Sequence, residues 1–409
     1  MANKTFDVAV VGAGVFGAWT AYQLVQAGAE VVLLDAYGPA NSRASSGGES
    51  RMIRMGYGPD QIYTRMAQRS LGLWQDLFGQ IGHAARSPLF QRTGILWLAR
   101  ERDPYCEATL ETLEQCQIRY ERLDSAELQR RYPQLQLGSP AGEIRWAILE
   151  PDSGVLMARQ AVQAVVAQAR AHGVVYLNEA ILPVSDSSKT GSDEKESNWD
   201  SPTGNCQSLQ TISGAEISAK QFVFACGPWL PKIFPALLGQ LIHVTKQEVF
   251  FFGTPTGADS SRFGPDQMPA WIDFGDLVYG LPSLDNRGFK IAIDAHGPQF
   301  DPDSGDRIVS PESVTAVRSY LAGRMPALAN APVTETRVCQ YENTSNGDFL
   351  IDRHPAFENV WLVGGGSGHG FKHGPAVGEQ VAALISGEAK VEPRFALATK
   401  EKVQQRKVF

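Results

Sequence analysis

Hydrophobic period changes several times along the chain, and each change predicts an element. Phe6 to Val11 is an apolar run, interrupted only by Asp7, of the kind found in strands buried on both faces; a helical pattern follows and ends near Gly28, and a second run, Glu30 to Leu34, stops at Asp35. Helical periodicity returns over Gln61–Phe78, with Leu71, Leu73, Trp74 and Leu77 on its apolar stripe, and over Ala158–Ala171. Short strand-like runs come next at Val174–Leu177, Ser208–Ile212 and Gln221–Ala225. From Val244 to Ile293, aromatic and β-branched runs (Val249–Phe252, Leu277–Leu281, Phe289–Ile293) alternate with turn residues, which predicts antiparallel sheet. The α/β pattern resumes near Phe349, where an apolar run from Val360 leads through a glycine-rich segment into a helix beginning near Gly374.

These periods predict an α/β fold of two interleaved parts. A Rossmann-like, dinucleotide-binding domain takes residues 1–85, 150–235 and 330–400, and an α+β substrate domain built on a mostly antiparallel sheet takes 86–149 and 236–329. The 409 residues, 43% of them apolar, suffice for two or three domains of about 150 residues. Residues 185–206 carry almost no apolar side chains, and strand-like sequence resumes on both sides, so they read as a polar loop insertion.

Charge and cysteine usage narrow the partners. With 37 Lys and Arg against 44 Asp and Glu the net charge is −7, and no basic block occurs, which argues against nucleic acid or an anionic membrane. Cys106, Cys116, Cys206, Cys226 and Cys339 lack CxxC spacing, so neither a disulfide framework nor a metal site is expected, and a reducing, cytoplasmic setting fits. Val8–Ala29 is uncharged and long enough to raise the question of a membrane span, but its glycines, Gln23 and Gln26 argue against one. A signal peptide is not expected either, because no basic start precedes a leucine-rich stretch and a small-residue cleavage site.

Two glycine-rich segments carry the binding chemistry. Gly12-Ala13-Gly14-Val15-Phe16-Gly17 sits between a strand and a helix, and Asp35 follows at the roughly 20-residue spacing from which an acidic side chain reaches the ribose of a dinucleotide. The plain alternative is a glycine-rich surface turn and an ordinary strand-end aspartate. An acid at that place favours an unphosphorylated ribose, so FAD or NAD over NADP. The second segment, Val360 to Ala382, lets backbone N–H groups and a positive helix end approach a flat ligand, because glycine puts no side chain in the way.

With these residues in view, the chain resembles the flavin-dependent amine oxidases of the D-amino-acid-oxidase superfamily, and within it the monomeric sarcosine oxidase and N-methyl-amino-acid oxidase family. The resemblance covers nearly the whole chain in collinear order. It rests on Gly12–Gly17 with Asp35, the run SSGGESRMIR from Ser45 to Arg54, EPDSGVL from Glu150 to Leu156, Cys226-Gly227-Pro228-Trp229, Tyr279-Gly280, Lys290, RVCQY from Arg337 to Tyr341, and SGHGFK from Ser367 to Lys372. The last two are the most specific.

The resemblance implies FAD, joined through an 8α-thioether to Cys339, a residue that would otherwise read as a small buried apolar side chain. It also assigns cofactor contacts to Gly12, Gly14, Gly17, Asp35, Ser45, Arg51, Ile181, Gly366, Gly368, His369, Gly370 and Lys372. Arg54 and Lys372 correspond to the pair that grips a substrate carboxylate, rather than to solvated loop charges. Lys290 corresponds to the lysine that promotes reaction of reduced flavin with oxygen, against the plain reading of a strand-edge lysine. Tyr279 and Tyr341 match pocket-lining positions, though either would serve as ordinary core tyrosine, and Cys226 reads as core. The helix near Gly374 would aim its N-terminus at the flavin pyrimidine. This chain departs from the family at Asp294, where the sarcosine enzymes have histidine, at Leu281, where they have phenylalanine, and in a shorter segment that contributes Asp273. Aspartates near an amine site favour a cationic or hydroxyl-rich substrate tail.

The implied activity is oxidation of the C–N bond of secondary-amine α-amino acids to an imine, with O2 reduced to hydrogen peroxide, by a metal-free monomer. Fructosyl amino acids (Amadori compounds) and cyclic imino acids such as pipecolate or proline are the alternative substrates. Two other classes compete. An NAD-dependent dehydrogenase leaves Cys339 and the second glycine segment unexplained, and a non-catalytic flavin-binding electron-transfer module has no use for Arg54 and Lys372.

Overall fold

The continuous apolar runs form the parallel centre of a seven-stranded sheet. In this computed structural model, which describes residues 4–82, 88–138, 142–182 and 204–405, Thr5–Val11 pairs in parallel with Glu216–Phe224 on one side and Val31–Leu34 on the other. The order runs Leu350–Arg353, Val360–Gly364, Glu216–Phe224, Thr5–Val11, Val31–Leu34 and Val175–Leu177, with Ser208–Gln210 paired antiparallel to Glu216–Phe224. Leu350–Arg353 is an antiparallel edge. Val31–Leu34 and Val360–Gly364 are buried at every position, as continuous apolar strands must be. Helices Val15–Gln26, Ala158–Ala171 and Gly374–Ser386 pack together against this sheet. Glycine sets that packing: a Cβ on Gly378 would stand 2.7 Å from the Trp19 backbone, and one on Gly17 would stand 1.8 Å from the Gly12 carbonyl oxygen.

The second sheet has eight strands in the order Val333–Thr344, Ile242–Phe252, Phe289–Ile293, Val278–Leu281, Ala270–Asp273, Ile95–Ala99, Trp146–Glu150 and Glu121–Asp124. All pairs are antiparallel except Ala270–Asp273 with Ile95–Ala99. Its two faces follow from the two-residue strand period. Phe250, Phe252, Phe289 and Ile291 join one core with Val317 and Leu321 of the helix Pro311–Arg324. Val249, Phe251 and Ala292, the alternate positions, face the other way and pack with Tyr279. A small sheet of Arg51–Ile53, Gly154–Leu156 and Phe90–Gln91 completes the sheets.

Ala158–Ala171 and Phe289–Ile293 form over the predicted residues, and the Gln61 helix runs on to Ile81, started by the Asp60 carboxylate accepting from the N–H groups of Ile62 and Tyr63. One grouping needs correction. The strand that carries Cys339 begins inside the segment given to the dinucleotide domain, yet it pairs along its length with Ile242–Phe252 and belongs to the eight-stranded sheet. The polar stretch 185–206 lies almost wholly outside the described residues. Among the described residues no helix is long and apolar enough to cross a membrane.

Candidate active site

Two cavities open between the sheets and share part of their walls. The larger, about 280 Å³, is a groove along the C-terminal ends of the parallel strands, and Gly12, Gly14, Asp35, Ser45 and Ile181 line it. The smaller, about 90 Å³, lies over the inner face of the eight-stranded sheet. Arg51, Cys339, Tyr341, Gly368 and Phe371 line both. A ligand lying along the groove therefore presents one end to the smaller cavity at these residues.

The groove fits a dinucleotide. Gly12 has φ +102° and a Cβ there would meet the Ala225 carbonyl oxygen at 2.4 Å, so the tight first turn requires glycine. Asp35 accepts from Ala13 N at 2.7 Å and from the N–H groups of Tyr37 and Gly38 at 2.9 Å each, tying the glycine turn to the next strand on the groove wall. Burial raises its carboxyl above the ordinary value despite these donors. Two buried side-chain oxygens on the wall, Gln340 Oε1 and Glu342 Oε2, have no hydrogen-bond partner among the described residues. Orphaned buried acceptors of this kind are what a polar cofactor would satisfy. Gly366, Gly368 and Gly370 line the groove, whereas Gly17 serves the packing of the turn. Cys226, read from sequence as core, lines the groove too, its Sγ donating to Val11 O at 3.4 Å.

At the junction, Arg51 is held by its own neighbourhood: Nη2 donates to Ser45 O at 2.7 Å and to the Cys339 sulfur at 3.3 Å. Ser45 in turn donates from Oγ to Gln340 O at 2.8 Å, fastening the loop to the Cys339 strand. Lys290, only 3% exposed, donates to Ser50 O at 2.7 Å. Burial, reinforced by Arg51, pushes its ammonium well below the ordinary lysine value. Tyr341 donates to Asp294 Oδ1 at 2.7 Å, and burial raises both Tyr341 and Tyr279 far above the usual phenol range, with Asp294 adding to each.

Arg54 and Lys372 come from opposite ends of the chain and meet on the smaller cavity, 5% and 4% exposed. The Arg54 guanidinium stands 4.5 Å from the Tyr57 ring centroid and 4.7 Å from that of Trp97, and Lys372 Nζ is 5.1 Å from Tyr57, so one tyrosine steadies both cations. Lys372 also donates to His369 O at 2.9 Å. The Tyr57 hydroxyl lies 3.2 Å from His369 Nδ1 and 2.7 Å from His373 Nε2, while His369 Nε2 reaches Gly347 O at 3.0 Å. One proton assignment satisfies the set: His369 donates to Gly347, Tyr57 donates to His369, and His373 donates to Tyr57. Burial, with Lys372 and Arg54 adding, holds His373 well below its ordinary value, which leaves it neutral for this role. His369 and Lys372, assigned to the cofactor from sequence, line the smaller cavity.

Sequence reasoning missed the support beneath Arg54. Glu150, wholly buried, accepts from Met55 N at 2.7 Å, Gly56 N at 3.0 Å, Trp97 Nε1 at 2.8 Å and Ser153 Oγ at 2.6 Å. That one carboxylate fixes both the Arg54 loop and the tryptophan against it; an acidic residue closing the apolar strand WAILE was the available signal. Asp273 needs correcting. It is fully buried with Arg100 at 3.1 Å and Arg324 at 3.1 Å and accepts from Tyr320 at 3.0 Å, while its strand neighbour Ile272 lines the cavity. The N-terminus of the Gly374 helix lies behind the short Phe371–His373 turn, which supplies cavity wall itself.

Residues 7–384 match the family described as FAD dependent oxidoreductase, DAO. The chain is 31% identical over 387 residues to a monomeric sarcosine oxidase of Bacillus sp. strain NS-129, covering 93% of each chain. It is 28% identical to N-methyl-L-tryptophan oxidase of Salmonella typhi, covering 94% of this chain and 95% of that one. L-Proline dehydrogenase from P. horikoshii shares the fold with a TM-score of 0.78 at 20% identity, over 96% of this chain and 97% of that structure.

Proposed function

The chain belongs to the DAO family of FAD-dependent oxidoreductases and is an FAD-dependent amine oxidase, and from that premise we propose that it oxidises secondary-amine α-amino acids of the N-alkyl kind and releases hydrogen peroxide. The observation that carries the reading is the meeting of Arg54 and Lys372 on a cavity whose wall continues, through Arg51 and Cys339, into the dinucleotide groove. FAD held in the groove by the Gly12–Gly17 turn, Asp35 and the Gly366–Gly370 segment would supply a two-electron acceptor for the substrate C–N bond and the means of reducing O2.

The protein's residues divide the remaining work. Arg54 and Lys372 bind the carboxylate, and because both are nearly excluded from water, their charge-assisted contacts orient the α-carbon and nitrogen. Lys290 holds a cation where negative charge grows on oxygen. Cys339, half-buried at the junction with its sulfur against Arg51, is the attachment point for the flavin. Tyr279, Tyr341 and Asp294 close the pocket around the substrate tail, and the Asp294 carboxylate suits a cationic or hydroxyl-rich one.

The test is a peroxide-coupled screen over N-methyl, cyclic and fructosyl amino acids. N-methyl amino acids are expected to give the highest kcat/KM. Preference for a fructosyl or cyclic substrate would redirect the assignment within amine oxidation, and absence of turnover with every amino acid would end it.

A further inference from the structure

Glu342 occupies a place in the groove that its chemistry does not explain within the protein alone. It projects from the Cys339 strand toward the C-terminal ends of the two central parallel strands Glu216–Phe224 and Val360–Gly364. A Cβ on Gly364 would stand 3.2 Å from Glu342 Oε2, and one on Gly227 would stand 3.9 Å from it. Oε1 accepts from Gly366 N at 3.2 Å. Oε2 has no hydrogen-bond partner among the described residues, although the residue is 8% exposed and lines the groove. Buried carboxyl oxygens are rarely left so without a ligand to answer them.

We propose that Glu342 is a cofactor-positioning residue: its second oxygen carries the carboxyl proton and donates a hydrogen bond to an acceptor oxygen of bound FAD. The inference rests on FAD as the occupant of the groove, which family membership supplies. An ionised carboxylate there would face a ligand that brings two phosphates, and a neutral one meets an acceptor without repulsion. Burial pushes Glu342 up to about 7, opposed in part by the backbone donors Gly366 and Gly365. Among the described residues the titratable group beside it is Cys226, whose thiol burial holds well above its usual value, with Asp35 and Glu342 adding. Leu230 and the glycines against it carry no charge. Only the protonated form donates. FAD affinity is therefore full below the free-protein value and falls as pH rises through it, by up to about tenfold per pH unit.

Equilibrium FAD binding, read by flavin fluorescence in a Cys339→Ser background that lets the cofactor exchange, tests this without recourse to turnover. With Glu342 in place, the Kd should rise roughly ten- to hundredfold between about pH 6.5 and about pH 9. Glu342→Gln, which keeps an N–H donor and cannot ionise, should bind FAD with that pH-dependent step removed. Glu342→Ala should bind weakly throughout. The proposal is overturned if the background protein shows no step, if the step survives in Glu342→Gln, or if Glu342→Ala binds as tightly as the background protein. Should Glu342→Ala fail to fold, the comparison of background and Glu342→Gln decides alone.

Discussion

Replacing Arg54 by alanine should cost the protein its grip on carboxylates. The side chain is 5% exposed and its guanidinium lies 4.5 and 4.7 Å from the ring centroids of Tyr57 and Trp97, so a substrate carboxylate binding there would meet it in a nearly dry, pre-oriented state. Truncating one partner of such a desolvated, hydrogen-bonded charge pair costs about 2–5 kcal/mol. At 1.4 kcal/mol per decade, affinity should fall roughly 30-fold to several thousandfold. Arg54→Lys keeps the charge and loses the planar fork, so it should lie between the parent and Arg54→Ala. The assay is a spectral titration of the flavin with acetate, which has the carboxylate and no amine, alongside acetamide as the uncharged control. Lys372→Ala should move acetate in the same direction. If both alanine variants bind acetate like the parent, or if acetamide weakens as much as acetate does, the two cations do not form a carboxylate site.

Flavin colour should stay with acid-precipitated wild-type protein and leave with the supernatant in Cys339→Ala; complete release from wild type would exclude a thioether. Lys290→Met should slow flavin reoxidation by O2 by roughly 10²–10³ while leaving reduction by substrate much less changed, as stopped-flow separation of the half-reactions will show. Because burial depresses Lys290, its charged form is the one lost on going up in pH, so wild-type reoxidation should slow at a pH below the ~10.4 of a free lysine, and Lys290→Met should lack that limb. Asp294→Asn should abolish a preference for N-methyl-lysine over N-methyl-norleucine of about fivefold, the ~1 kcal/mol of a half-exposed ion pair; kcat/KM equal for the two substrates in wild type would remove Asp294 from tail recognition.

What the sequence made legible was local. The glycine turn with Asp35 and the glycines before the last helix announce themselves within a few residues, because only close backbone approach demands them. Continuous apolar runs identified the parallel strands because a strand covered on both faces buries every side chain. Pairing across the chain was not legible from period alone. Asp273 looked like a pocket residue until its strand acquired a register that turns Ile272 toward the cavity and Asp273 toward Arg100 and Arg324. Glu150 organises the Arg54 loop through Met55 and Trp97, distant from it in sequence, and Tyr57, three residues after Arg54, is itself held by His369 and His373 at the far end of the chain, so their joint role appears only in the fold. The helix Pro311–Arg324 shows no clean stripe in sequence because its buried face, Val317, Leu321 and Arg324, includes a charged residue.

Anaerobic reduction of the flavin tests the central claim most directly. The claim is that one cavity grips an amino-acid carboxylate while its shared wall delivers the C–N bond to the cofactor. Mixed without oxygen with an N-methyl amino acid, the wild-type flavin should bleach near ~450 nm and recover with formation of peroxide when O2 is admitted, while the matching N-methylamine without a carboxylate leaves the band nearly unchanged. Bleaching that is equally fast with the decarboxylated amine, or no bleaching by any N-alkyl amino acid, would contradict the account.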